Sequence, residues 1–193
     1  MIAQIKDKLS GFLLRKMNAL IAQLQEESVM GNIYDQILKL KRLNLVVHGN
    51  FETSIPNTKP LILVCNHPLG ILDGLILGAL AKQNNLTFKI IANEFLLRLE
   101  FFNRDFIGVN PYGTKTALTR NIAPLKETFS WLNNNNTLIV FPAGEVAQFQ
   151  FKKMRIVEAP WIESIGKIIQ RSNADVLPIY IKGRNSSLFY ILK

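Results

Sequence analysis

The chain has 193 residues, of which 48% are hydrophobic and 19% charged, so a disordered chain is excluded and one domain with a sizeable core is expected. Its formal net charge of +9 indicates an anionic partner: a phospholipid surface, a nucleic acid or a phosphorylated substrate. The single cysteine, Cys65, cannot form an intrachain disulfide and indicates a reducing compartment.

The first 43 residues carry helical patterns. Apolar residues recur at spacings of three and four through residues 2–24, with basic residues among them, and a second helix is predicted over Val29–Leu40. The first helix is interpreted either as a basic amphipathic helix in a membrane interface or as a helix packed on the core. No uncharged apolar run reaches 18 residues, so we expect peripheral attachment rather than an integral span. Residues 1–43 are therefore assigned to an N-terminal helical region, which under the first of these two interpretations associates with a membrane.

From residue 44 onward, short apolar runs bounded by turn residues alternate with helical segments. This alternation predicts one α/β domain over residues 44–193, with a mixed, largely parallel sheet flanked by helices. Pro178 marks the last strand as an edge strand or a bulge, and Pro124 is expected to kink the helix that begins at Thr114. The predicted strands are 44–48, 61–65, 87–92, 106–109, 137–141 and 176–181. Helices are predicted from about 73 to 83, 93 to 99, 114 to 131 and 161 to 172.

Two residues at the exit of the second predicted strand carry recognisable chemistry. His67 lies two positions after the last residue of the strand, and Asp73 lies six positions later at the start of a helix. A carboxylate that accepts from one imidazole nitrogen leaves the other free to take a proton, so the pair can activate a hydroxyl without a nucleophilic serine. A structural alternative remains open, in which His67 bonds only to backbone and Asp73 only caps the helix.

Four segments in order resemble the lysophospholipid acyltransferase family, which includes the glycerophosphate and lysophosphatidate acyltransferases. They are Asn66-His67-Pro68 with Asp73, Phe106–Asn110, Phe141–Glu145 and Val176–Ile179. Five residues separate His67 from Asp73, where the family signature has four, and this variant looks like the hemolysin-like subgroup. Some members of that subgroup are linked to ornithine or glycine lipid synthesis.

The resemblance implies an O-acyltransferase in membrane lipid synthesis. It would move an acyl group from acyl-coenzyme A or acyl carrier protein to the hydroxyl of a lyso-lipid such as 1-acylglycerol-3-phosphate, at the cytoplasmic face of the membrane. His67 would be the general base and Asp73 its orienting partner. Gly144 and Glu145 would form part of the acceptor site, and backbone near Gly144 could hold the oxyanion. No metal or cofactor is expected.

Two departures from the family pattern bear on the acceptor. The arginine that ends the second family block is replaced here by Asn110 or Pro111, while Arg104 lies just upstream as a candidate for the acceptor's anionic group. Ala143 stands where the third family block has glutamate, and Glu145 follows the glycine. Both departures fit a lyso amino-acid lipid of the ornithine or glycine type at least as well. Arg104 could instead form a surface ion pair with Asp105 or Glu100, and Glu145 could be a simple surface carboxylate.

Two other classes stay open. A lipid hydrolase would use water at His67, and a non-catalytic basic protein would only bind membranes. Nucleic acid is not an expected partner, because the chain shows no helix-turn-helix, zinc finger or RNA-binding aromatic motif. The chain ends soon after its last motif, which suggests a short or truncated family member.

Overall fold

The computed structural model describes residues 15, 18–19, 21–22, 32–40, 42–55, 59–99, 102–111 and 119–192. Within these residues, the helices are α1 Ile33–Leu40, α2 Ile71–Gln83, α3 Ile122–Asn133, α4 Glu163–Ser172 and α5 Ser187–Leu192. The strands are β1 Leu61–Cys65, β2 Phe88–Asn93, β3 Phe106–Val109, β4 Thr137–Val140, β5 Gln148–Gln150, β6 Arg155–Val157 and β7 Asp175–Ile179. Short 3-10 turns occupy Glu52–Ser54, Glu94–Arg98, Asn103–Asp105 and Phe151–Lys153.

The main sheet has five strands in the order β3-β2-β4-β1-β7, and every pairing in it is parallel. Strands β5 and β6 form a separate antiparallel hairpin. This architecture confirms the predicted α/β class and the largely parallel sheet. Pro178 lies in β7, an edge strand, as predicted, because an edge position tolerates a residue that donates no ladder hydrogen bond.

Strand β1 divides the core into two layers. Its five residues are all buried, and alternate side chains point to opposite faces of the sheet. Leu61, Leu63 and Cys65 pack with α1 and α2, whereas Ile62 and Val64 pack with α3 and α4. A strand covered on both faces is a continuous apolar run, which explains why its bounds were predictable.

Helix α1 is fixed to α2 by one large side chain. Tyr34 is buried, and its ring lies directly against Gly78, where any side chain would collide with it. The Tyr34 hydroxyl donates to Oδ2 of Asp105 at 2.6 Å. Burial first, and this hydrogen bond second, raise the pKa of Tyr34 well above its usual value.

The predicted strand at 44–48 is wrong. This segment has no strand structure, and Leu45, Val46 and Val47 are all exposed. The edge strands β3 and β7 each pair with one inner strand, and neither pairs with this segment. A β-prone sequence therefore stays irregular here, because it pairs with neither edge strand of the sheet.

The predicted helix from Thr114 is only partly covered, because residues 112–118 lie outside the described part. Thr119 and Arg120 are helical, Asn121 is a turn, and α3 begins at Ile122. The break lies three residues before Pro124, which agrees with the expected kink. Pro124 thus lies in the first turn of α3, where its missing N–H leaves no helical hydrogen bond unmade.

The N-terminal helix lies mostly outside the described residues. Of its described members, Ile21 is 2% exposed and belongs to the core cluster, and the Asn18 side chain donates to the carbonyl of Arg98 at 3.2 Å. At these positions the chain packs on the domain. The division into 1–43 and 44–193 stays a prediction. Among the helices that the structure describes, none is both long and apolar enough to cross a bilayer.

Candidate active site

The sequence motifs meet at the carboxyl-terminal edge of the sheet. His67 follows β1, and Phe141 follows β4, its hydrogen-bonded neighbour. The connection after β1 runs through α2 on one face of the sheet, and the connection after β4 runs through α4 on the other face. Such a point, where strand connections diverge, opens a crevice in which parallel α/β sheets bind ligands.

His67 and Asp73 form a close pair at this edge. Nδ1 of His67 lies 2.9 Å from Oδ2 of Asp73, and the side chain of Asp73 is fully buried while that of His67 is 17% exposed. The distance is that of an ion pair, although the ring nitrogen is not aligned for a good hydrogen bond. Such contacts in empty active sites often tighten when substrate binds. With Nδ1 held by the carboxylate, Nε2 is the nitrogen that can exchange a proton with a substrate.

Asp73 also organises the loop before α2. Its Oδ2 accepts from the backbone N–H of Leu69 at 2.8 Å and of Gly70 at 2.9 Å. Gly70 has φ +74°, a conformation that favours glycine, and a Cβ there would lie 3.1 Å from Val146. The capping role foreseen for Asp73 and its contact with His67 therefore occur together. Its Oδ1 is buried without a hydrogen-bond partner in the described part of the chain.

The backbone of His67 is held from both sides by one distant segment. Its N–H donates to Oε1 of Glu158 at 2.9 Å, and its carbonyl accepts from the N–H of Ala147 at 2.9 Å. Its ring stacks on Phe141 with centroids 4.3 Å apart. Glu158 was not predicted from the sequence, because nothing in its local pattern relates it to a residue 91 positions earlier.

Asn66 ties the end of β1 to the segment after β7. Its side-chain amide donates to the carbonyl of Ile181 at 2.9 Å and accepts from the Ile181 N–H at 2.7 Å. The Asn185 side chain donates to the carbonyl of Pro68 at 2.9 Å. The Asn-His-Pro segment is thus fixed at each of its three residues, which restricts where the His67 ring can lie.

A cavity of about 770 Å³ opens beside His67. Its walls are mainly apolar side chains from α2, β2 and the 3-10 turn after β2, such as Leu75, Ile90, Leu96 and Leu99. Titratable groups of the described lining are His67, Glu145 and the Tyr34 hydroxyl, and no lysine or arginine is among them. The volume suits a substantial apolar ligand whose reacting group reaches the imidazole.

Gly144 and Glu145 lie at this cavity, as their position after β4 predicts. Gly144 has φ +69°, and a Cβ there would lie 2.5 Å from Cδ1 of Ile162, so two constraints favour glycine. Its N–H donates to the carbonyl of Phe141 at 2.9 Å, so an oxyanion role for that N–H would require the turn to open. Glu145 is exposed and accepts from the Gln148 side chain at 2.6 Å.

Arg104 is not brought to the cavity. It is exposed in the turn Asn103–Asp105 and is absent from the cavity wall. It forms no ion pair with Asp105 in the described part of the chain, and Glu100 lies outside that part. Asn110, where the family pattern has arginine, does line the cavity and donates to Oε1 of Glu94 at 3.0 Å.

Comparison with known proteins is consistent with this geometry. The lyso-glycine lipid O-acyltransferase of Phocaeicola vulgatus is 29% identical over 140 residues, which cover 72% of this chain and 48% of that protein. The enzyme of the same name from Bacteroides thetaiotaomicron is 30% identical over 141 residues, which cover 72% of this chain and 49% of that protein. The chain therefore spans about half the length of the curated relatives it matches.

A family model described as Acyltransferase matches residues 47–193, a range that contains the sheet, the cavity, His67 and Asp73. This match covers well over half of the chain and agrees with the four motifs found in the sequence. The chain belongs to the acyltransferase family, as its resemblance to the lysophospholipid acyltransferases predicts.

Proposed function

We propose that this protein transfers a fatty acyl group from a thioester to the hydroxyl of a lyso-lipid. The observation that carries the proposal is the buried Asp73 carboxylate 2.9 Å from a His67 side chain that lines an apolar cavity of about 770 Å³. His67, the candidate proton acceptor, thus lies at a cavity whose apolar walls suit an acyl chain, and the family membership supports the same chemistry.

In this mechanism, Nε2 of His67 takes the proton of the acceptor hydroxyl as its oxygen attacks the thioester carbonyl carbon. The imidazolium that forms is stabilised by the Asp73 carboxylate at Nδ1. When the tetrahedral intermediate collapses, the carbon–sulfur bond breaks and the departing thiolate takes the proton from Nε2. The products are an ester and a free thiol, and the histidine returns to its starting state.

The apolar part of the cavity would hold an acyl chain. Gly74 of α2 lies on its wall beside Ile90, and the missing side chain leaves this part of the wall smooth. A chain bound along this wall places its thioester carbonyl near His67. Acyl-coenzyme A and acyl carrier protein both supply such a thioester.

The acceptor that fits best is a lyso amino-acid lipid. A phosphate dianion would meet the Glu145 carboxylate and no lysine or arginine among the described lining residues. Glu145 can instead accept from a hydroxyl or an N–H of an acceptor head group. The two similar proteins named as lyso-glycine lipid O-acyltransferases support this choice over 1-acylglycerol-3-phosphate. Because the acyl chains of both substrates partition into lipid, we propose that the reaction takes place at a membrane surface, on its cytoplasmic face, with the protein bound peripherally.

The test is a product assay with purified full chain in detergent, radiolabelled palmitoyl-coenzyme A or palmitoyl-acyl carrier protein, and three acceptors in parallel. The acceptors are a lyso-glycine lipid, a lyso-ornithine lipid and 1-acylglycerol-3-phosphate. We expect a labelled diacylated product with an amino-acid lipid and at least tenfold less with the phosphate acceptor.

A preference for 1-acylglycerol-3-phosphate would contradict the acceptor assignment while leaving acyl transfer intact. Labelled free fatty acid without any diacylated lipid would contradict acyl transfer itself and indicate a hydrolase. Each reaction is compared with the His67→Ala protein, so that uncatalysed thioester breakdown is subtracted.

A further inference from the structure

The β5–β6 hairpin, residues 148–157, carries an unusual tip. Phe151 and Met154 are each 75% exposed, and Lys152, Lys153 and Arg155 around them are also exposed. The hairpin contains no acidic residue, and none of these three cations forms an ion pair with a described residue. The tip therefore presents two exposed apolar side chains next to three cations that form no ion pair with the described residues.

Backbone geometry shows that the fold does not require an apolar side chain at Met154. Met154 has φ +48°, a left-handed conformation that asparagine or glycine adopts with less strain. Its side chain is nevertheless exposed, so packing does not account for it. The neighbouring Phe151 ring stands edge-on to Phe149 with centroids 5.2 Å apart, which orders the aromatic side chain at the tip.

The base of the hairpin is attached to the candidate active site. Ala147 immediately precedes β5 and Glu158 immediately follows β6, and these are the two residues that bind the backbone of His67. Whatever surface the tip binds is therefore held at a fixed relation to the imidazole and the cavity.

We propose that the hairpin tip docks the protein on an anionic bilayer, with Phe151 and Met154 entering the interface and Lys152, Lys153 and Arg155 binding lipid head groups. The proposal rests on the proposed function, because a lipid-dissolved acceptor must reach the cavity from a bilayer. Apolar side chains flanked by cations are the chemistry that anionic membrane interfaces bind. The short, rigid attachment to His67 then sets the active site at the membrane surface.

The first test measures partition of the full chain onto phosphatidylglycerol-containing vesicles and onto pure phosphatidylcholine vesicles by co-flotation. Each cation near an anionic surface contributes about fivefold in binding, so the Lys152→Gln/Lys153→Gln protein should bind anionic vesicles roughly 30-fold more weakly. Met154→Asn should weaken binding roughly fivefold while the thermal midpoint stays equal or rises, because asparagine relieves the left-handed strain.

The control removes the same number of charges from the opposite edge of the sheet, as Lys59→Gln/Arg171→Gln. Lys59 forms an exposed ion pair with Asp175 at 3.6 Å, and such pairs contribute little to stability. Lys59 precedes β1 and Arg171 lies in the last turn of α4, about 17 Å of strand away from the carboxyl-terminal edge and beyond the screening length at physiological salt. Its binding should change less than threefold. An equal loss in control and hairpin variants, or wild-type binding by both hairpin variants, would overturn the proposal.

A second readout uses the burial of the only native cysteine. Cys65 is fully buried, and burial raises the pKa of its thiol to about 12, so a dye will label an introduced cysteine selectively. Phe151→Cys carrying an environment-sensitive dye should shift to the blue on anionic vesicles. Asn133→Cys, exposed at the opposite edge, should not shift.

Neither readout depends on catalysis, so failure of docking and failure of acyl transfer remain distinguishable. Normal vesicle binding without a diacylated product would contradict the proposed function alone. A dye shift with duplex DNA but none with vesicles would overturn membrane docking and indicate a nucleic acid partner.

Discussion

The exits of β1 and β4 are adjacent at one edge of the sheet, yet they are held very differently. After β1, every residue from Asn66 to Gly70 forms a hydrogen bond with a residue outside that loop. After β4, Gly144 and Glu145 are exposed, and within the described part of the chain they form a local turn and one hydrogen bond to Gln148. The first exit fixes His67, the proposed proton acceptor, whereas the second leaves a face of the cavity accessible to the proposed lyso-lipid substrate.

We infer that the residues after β1 serve the chemical step and that the residues after β4 serve recognition of the lyso-lipid acceptor. A general base must be held within a few tenths of an ångström of its productive position, because small displacements cost large factors in rate. A head-group site tolerates change, since exposed loops accept substitution without loss of the core. Substitutions after β1 should therefore reduce the turnover rate, and substitutions after β4 should change the choice of acceptor.

The largest effect is expected at Asp73, which tests whether the residues after β1 serve the chemical step. Asp73→Ala removes both the partner of His67 and the acceptor of the Leu69 and Gly70 N–H groups, so we expect roughly 10²–10⁴-fold less activity and a lower thermal midpoint. Asp73→Asn keeps an oxygen for the two N–H groups but cannot stabilise an imidazolium. It should lose activity while nearly keeping the wild-type melting temperature, and near-normal activity would make Asp73 purely structural.

Glu158 tests whether the backbone of His67 must be held. Glu158→Ala leaves the His67 N–H without its acceptor, and we expect the free energy of unfolding to fall by about 1–3 kcal/mol together with a loss in kcat. Glu158→Gln retains an acceptor oxygen and serves as the control. Chemical denaturation and steady-state kinetics measure both effects, and identical behaviour of the two variants would show that the hydrogen bond does not position the histidine.

Glu145 tests whether the residues after β4 serve recognition of the acceptor. Glu145→Gln replaces a charged acceptor by a neutral one of the same shape, so KM for a lyso amino-acid lipid should rise up to about tenfold while kcat changes little. Stability should stay within about 0.5 kcal/mol, because the side chain is exposed. A change confined to kcat would contradict a role of Glu145 in acceptor binding and would indicate a role in the chemical step.

The smallest expected effect concerns Cys65 at the end of β1. Burial, aided by the Asp73 carboxylate, raises the pKa of its thiol to about 12. Below about pH 9, folded and unfolded chains both keep the proton. Above it, the unfolded chain releases the proton first, so this group lowers stability as pH rises from about 9 to about 12. Cys65→Ala should flatten that slope in denaturation at stepwise pH, and an unchanged slope would contradict the burial of the thiol.

How far the sequence predicts this molecule depends on the range of each interaction. Strands β1 and β3 were predicted with their bounds because buried parallel strands are continuous apolar runs between turn residues. The His67–Asp73 pair was visible because only six positions separate its members. The same local reasoning failed at 44–48, where the residues favour a strand but the segment pairs with neither edge strand of the sheet.

The supports of the site lie beyond local pattern. Glu158 and Asn185 reach the motif from 91 and 117 positions away, and a lone glutamate or asparagine in a loop has no distinguishing spacing. Arg104 shows the converse limit. Its type and its position near the second motif suited an anion, but the turn Asn103–Asp105 leaves it exposed away from the cavity wall.

The most direct test of His67 as the general base is acyl transfer by the His67→Ala protein. It is measured beside wild type with a lyso amino-acid lipid and a labelled acyl thioester. Circular dichroism and the thermal midpoint establish that the variant is folded. We expect a loss of roughly 10²–10⁴-fold in the rate of diacylated product formation, because general-base assistance of that size disappears with the imidazole. A folded His67→Ala protein that retains wild-type turnover would contradict the assignment of His67 as the base.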